Sequence, residues 1–160
     1  MAFEFLRSGD RKDVLKKIEE MYGLEDLGYM LFNSGKERIV GFSGNMSRDD
    51  IIRVAGVANV EVLGLYLFKR EKEEKLKMSF DATQIFGNRA TKRVVEIDAE
   101  LSAIWMSGEE IDFPAEKGLV IMKNRETGDF MGCGKSNGVK IINQVPKERR
   151  AKKVKRNIPA

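Results

Sequence analysis

The sequence predicts an α+β protein: an N-terminal α/β unit followed by a C-terminal β pseudo-barrel carrying one or two short helices. Two local patterns and one break predict it. Apolar residues recur at helical spacing only in short windows, Val14, Leu15, Ile18, Met21 and Tyr22 being the clearest. Between those windows lie short β-branched or aromatic runs bounded by Gly, Asn and Ser, which is how strands and tight turns read. A polar connection with helix and strand breakers, from Asn88 to Lys92, then separates two apolar stretches. The expected organisation is an α+β domain over 1–88, a second domain over 89–150 and a flexible basic tail over 151–160. A chain of 160 residues with 42% hydrophobic content is long enough to bury a core in one domain or two small ones.

In the first unit, residues 10–22 are expected to form a helix capped by Asp10 and stopped by Gly23. Tyr29 to Phe32 and Arg38 to Phe42 read as a hairpin turning at Asn33-Ser34-Gly35. Ser47 followed by Arg48-Asp49-Asp50 and then Ile51 and Ile52 predicts an N-cap and a short helix. Acids in a first helical turn complement the dipole, so Asp49 and Asp50 read as helix-start residues rather than a catalytic pair. Val60 to Phe68 is the strongest strand of this half, dense enough in apolar residues to be central. Arg70 to Lys75 is a charged turn, Leu76 to Phe80 a returning strand, and Asp81 to Phe86 one or two helical turns.

The second unit opens with a strand at Val94, Val95 and Ile97. Asp98 caps a helix whose buried side is Leu101, Ile104 and Trp105 and whose end is Gly108. Trp105 shares helical spacing with Leu101 and is expected as a core anchor. A loop over 109–117, broken by Pro114, leads to a strand at Leu119 to Met122, a turn at Asn124 to Gly128, and two further strands.

Those last two strands carry the functional signal. In GDFMGCGKSNGVKIINQVPKERR, residues 128–150, short apolar runs alternate with glycines and with Lys135, Lys140, Lys147, Arg149 and Arg150. Ser136-Asn137-Gly138 supplies the reversal, since Asn and Gly tolerate positive φ. From Gly132 to Ala160 there are six Lys and three Arg against one Glu, whereas residues 1–131 hold 20 bases against 24 acids. A basic end on an otherwise acidic chain is the electrostatic pattern of a protein that grips a polyanion, or else a solvated tail with no partner.

The run Gly132-Cys133-Gly134-Lys135, followed by Asn143, Pro146, Lys147 and Arg150, resembles the closing motif of the PUA-like RNA-binding domain of RsmF-type rRNA (cytosine-5) methyltransferases. This chain has Cys133 where that family has an aromatic, Ile142 where it has a base, and Arg149 where it has an apolar residue. The order of elements is also similar to pre-PUA plus PUA proteins such as the Nip family of ribosome-biogenesis factors. The resemblance implies a pre-PUA-like unit joined to a PUA-like pseudo-barrel. It also implies an RNA groove whose second wall is the loop at Gly108, with Lys117 beside it. The expected RNA contacts are then Lys135, Asn137, Lys140, Asn143, Lys147, Arg149 and Arg150. The cations would hold phosphates, and Asn137 and Asn143 would read base edges or 2′-hydroxyls.

Enzyme chemistry finds little support. The sequence has no histidine and one cysteine, which removes imidazole acid/base catalysis, an internal disulfide and the usual zinc sets. It has no G-x-G-x-x-G or P-loop turn and no S-adenosylmethionine-type sheet such as the resembling methyltransferases carry ahead of this motif. Cys133 has Lys135 nearby to favour a thiolate, yet a cysteine on a strand reads first as a small buried residue. Neither a signal-peptide core nor an apolar run of membrane length is apparent, which points to the cytoplasm. The expectation is a non-catalytic RNA-binding protein, without cofactor or metal, acting on structured rRNA or tRNA in RNA modification or ribosome biogenesis. The rival is an accessory subunit whose acidic first half docks on a separate RNA methyltransferase or ribosome-assembly protein.

Overall fold

The computed structural model describes residues 3–57 and 64–151 and divides the chain into two compact units, Met1–Lys92 and Arg93–Ala160. The basic tail beyond Ala151 and the first residues of the strand expected from Val60 lie outside the described residues.

The first unit is a five-stranded antiparallel sheet in the order β1 (Phe3–Phe5), β2 (Met30–Ser34), β3 (Arg38–Phe42), β4 (Leu65–Arg70), β5 (Leu76–Met78). Helices α1 (Ser8–Tyr22) and α3 (Phe80–Phe86) supply the main core. Ile18, Tyr22, Phe68, Met78 and Phe86 are all fully buried. The Tyr22 hydroxyl donates to the Leu76 carbonyl, and the Phe68 and Phe86 rings stack at 6.4 Å between centroids. The opposite face of the sheet meets α2 (Arg48–Val57), which buries only Ile51, against Phe32 with Phe5, Met30, Val40 and Phe42 around it.

Several local expectations shift. Helix α1 starts at Ser8 with Arg7 at the cap position, so Asp10 sits in the first turn and does not cap. Gly23 closes the helix in the left-handed region (φ 71), and its N–H donates to the Glu19 carbonyl. Asn33 and Ser34 belong to β2, and the reversal is pushed to the residues after them. The described part of the strand read from Val60 is β4, an interior strand paired with β3 on one side and β5 on the other, with β3 in the middle of the sheet. At α2 the Ser47 Oγ accepts from the Asp50 N–H while the Asp50 carboxylate accepts from the Ser47 N–H, a reciprocal capping box that accounts for Asp50 without catalysis.

The second unit is a curled half-barrel with sheet order β6 (Val94–Ile97), β8 (Gly118–Asn124), β9 (Phe130–Ser136), β10 (Lys140–Asn143), β7 (Ile111–Asp112). Strand β6 runs parallel to β8, connected through α4 (Ala99–Met106), and the remaining pairs are antiparallel. Asp98 caps α4 by accepting from the Leu101 N–H at 2.8 Å. Trp105 is fully buried and its indole N–H donates to the Met131 carbonyl at 2.9 Å. Ile104 is not on the buried side: it is 36% exposed, and Ser102 takes that place with its hydroxyl donated to the Asp98 carbonyl. Strand β7, two residues inside the expected loop, exists because β10 needs a partner on its outer edge.

Candidate nucleic-acid interface

The expected site residues fall into two neighbouring groups on the second unit. The first group surrounds the end of α4. Gly108 has φ +97, and a Cβ there would stand 2.6 Å from Arg150 Cδ and 2.7 Å from Arg150 Nε. The Arg150 side chain thus lies flat on bare backbone, which only glycine permits in that conformation. Arg150 Nε donates to the Val145 carbonyl at 3.0 Å, and the Ala151 N–H returns to the Met106 carbonyl at 2.7 Å. Lys147 and Arg149 lie on the exposed 3-10 turn Lys147–Arg149 just before.

Asn143 ties this group together. Its Nδ2 donates to the Trp105 carbonyl at 2.7 Å and the Glu109 carbonyl at 3.0 Å, and its Oδ1 accepts from the Val145 N–H at 2.8 Å. Both amide protons satisfy carbonyls at the helix end, so the expected base reader is a strut between β10 and the loop after α4. Sequence spacing gives no hint of this, because Asn143 and Glu109 are 34 residues apart.

The second group is the hairpin end. Asn137 Oδ1 accepts from the N–H groups of Val139 (3.0 Å) and Lys140 (2.8 Å), so its carbonyl shapes the turn rather than reading a base. Lys117 runs beside this turn, with its Cε 3.4 Å from where a Gly138 Cβ would be. Lys135 is exposed on β9, paired with Ile142, which is 47% exposed. Lys140 lies between Glu110 (3.6 Å) and Asp112 (3.7 Å), so two carboxylates compete with phosphate for it. Among the described residues, Lys117, Lys135 and Lys147 make no ion pair.

Arg93 is the participant that sequence reasoning missed. Its guanidinium donates to the carbonyls of Leu119 and Lys117 and pairs with Glu116 at 2.9 Å, which fixes the approach to the Lys117 side of the hairpin. Cys133 is 3% exposed inside β9, a packing residue as its strand position suggested. The charge asymmetry also resolves differently. Residues 1–92 hold 16 bases and 15 acids, whereas residues 93–131 hold four bases and nine acids. The acidic excess therefore lies within the second unit, beside the basic strands, and not in the first half as the accessory-subunit reading assumed.

The glycine-lysine run finds its reason in Trp105. A Cβ at Gly134 would sit 2.5 Å from both Trp105 Cη2 and Ile141 Cγ2, so the indole packs directly on the β9 backbone. A family model described as the methyltransferase RsmF PUA domain matches residues 92–151. Residues 92–151 are a PUA-like domain of the RsmF type. PUA domains as a family are non-catalytic RNA-binding modules. No curated protein matches the chain. Among solved structures, it is similar to a hypothetical protein from the hyperthermophilic archaeon Pyrococcus horikoshii OT3. That likeness covers 88% of this chain and 93% of the other, with 13% identity and a TM-score of 0.54, and it shows a shared fold. In the PUA-like domain, the exposed cations Lys117, Lys135, Lys147 and Arg149 flank the β9–β10 hairpin and the end of α4.

Proposed function

We propose that the protein binds structured rRNA or tRNA in the cytoplasm, as a non-catalytic factor in RNA modification or ribosome biogenesis, through the cationic edge of its PUA-like domain. The observation that carries this reading is the division of labour among the basic residues. Arg150 and Arg93 are spent on backbone carbonyls that hold the edge in shape, while Lys117, Lys135 and Lys147 make no ion pair among the described residues and project at the surface. Phosphate contacts of this kind supply affinity and position, and sequence or shape readout is added on top of them.

The test is substitution of Lys135, Lys147 and Arg149 together with Ala, which spares the structural Arg150. With a transcribed tRNA as probe, affinity is expected to fall about tenfold or more. The slope of log K against log salt becomes shallower by ~0.7 for each single-stranded phosphate that is no longer neutralised. Unchanged affinity and slope would refute the assignment.

The accessory-subunit reading keeps one specific support. Helix α2 exposes Ile52, Val54 and Val57, the last 89% exposed, which suits a protein partner such as an RNA methyltransferase or assembly factor. Ile52→Asp with Val57→Asp is expected to abolish co-purification of such a partner while leaving tRNA affinity unchanged.

A further inference from the structure

The face of the N-terminal sheet that α2 covers only in part carries an arrangement the PUA-like domain does not explain. Arg38 of β3 pairs in register with Lys69 of β4, and Lys69 pairs with Lys77 of β5. Directly opposed residues on antiparallel strands share a face with Cβ atoms about 5 Å apart, so three cations stand side by side across about 10 Å of sheet. Like charges so placed destabilise a sheet. Two carboxylates relieve the row in part, Glu37 at 3.8 Å from Lys69 and Glu71 at 3.6 Å from Lys77. Arg38 instead lays its guanidinium over the Tyr66 ring, 4.6 Å from the centroid.

The neighbouring row on the same face is aromatic and apolar: Phe5, Phe32, Val40 and Tyr66 in register across β1 to β4. At its far end Arg48 covers the Phe5 ring in the same way, also at 4.6 Å. Planar guanidinium-on-ring stacks beside a line of cations match the two parts of a nucleotide strand, flat bases and regularly spaced phosphates. An acidic peptide would answer the cations but leave the stacked planes without a counterpart.

We propose that this face is a second RNA-contact surface, which takes a single-stranded segment with its phosphates along Arg38, Lys69 and Lys77 and a base stacked on the exposed side of the Arg38–Tyr66 pair. The proposal extends the RNA-binding reading to the first unit and uses no contact made by the PUA-like domain, so the two can fail separately.

The experiment uses the full chain and two probes: an oligoadenylate of about 12 nucleotides, a length suited to a strand laid across a sheet, and a closed stem-loop without single-stranded flanks. Arg38→Gln with Lys69→Gln is expected to weaken oligoadenylate binding about tenfold, and Tyr66→Leu about threefold to tenfold, with stem-loop affinity unchanged. The Gln pair removes like-charge repulsion together with the Lys69–Glu37 pair and the Arg38–Tyr66 stack, so its melting temperature is expected to stay close to that of the wild type. Wild-type oligoadenylate affinity in the Gln pair overturns the proposal at any melting temperature. Polyglutamate competing as well as oligoadenylate, with Tyr66→Leu neutral, assigns the row to an acidic protein and also overturns it. If the Lys135, Lys147 and Arg149 variant keeps its stem-loop affinity while the Gln pair loses oligoadenylate, the PUA-domain reading falls and this proposal stands.

Discussion

At the scale of single residues, the basic edge of the PUA-like domain separates side chains that build it from side chains left for a ligand. Arg150 lies against Gly108 and holds the Val145 carbonyl. Gly108→Ala meets two penalties, the positive φ and the displaced arginine, and is expected to lower stability by about 1–2 kcal/mol in urea unfolding. Asn143→Ala strips two carbonyls and one N–H of their partner and is expected to cost about 1–3 kcal/mol. Lys140 behaves in the opposite sense. Glu110→Gln with Asp112→Asn frees it from both carboxylates, so RNA affinity is expected to rise and the salt slope to steepen by ~0.7 for one added phosphate contact. An unchanged slope in a filter-binding titration would mean that Lys140 faces no phosphate.

At the scale of elements, what the sequence made legible were features whose cause is local. The helix stop at Gly23, the caps at Ser47 and Asp98, the hairpin turn at Asn137-Gly138 and the strands on either side of it all follow from residues within four positions of one another. What was hidden depends on partners far along the chain. Strand β7 is two residues long and exists through its pairing with β10. Ile104 fits the apolar stripe of α4 yet faces outward, because Trp105 fills the space over Gly134 and leaves Ser102 as the neighbour that fits beneath. The site shows the same division: the exposed lysines could be named from composition, whereas the structural use of Asn143 and Arg93 needed the fold. The Ser47 box tests the local side of this argument. Ser47→Ala removes one half of a reciprocal pair on an exposed helix start and is expected to cost about 0.5–2 kcal/mol.

At the scale of the whole molecule, the distribution of aromatic residues provides an independent reporter for each unit. The single tryptophan, Trp105, belongs to the second unit and is fully buried there, while all three tyrosines, Tyr22, Tyr29 and Tyr66, belong to the first. Each unit has its own sheet and its own buried core, which is the condition for cooperative unfolding of each by itself. Urea unfolding followed by tryptophan emission therefore reads the PUA-like domain, and tyrosine absorbance the N-terminal sheet. Gly108→Ala is expected to move the tryptophan transition to lower urea and leave the tyrosine transition in place, and Ser47→Ala to do the reverse. If either substitution shifted both transitions by the same amount, the two cores would be one cooperative body, and RNA contacts assigned to one unit would have to be tested for effects passed through the other.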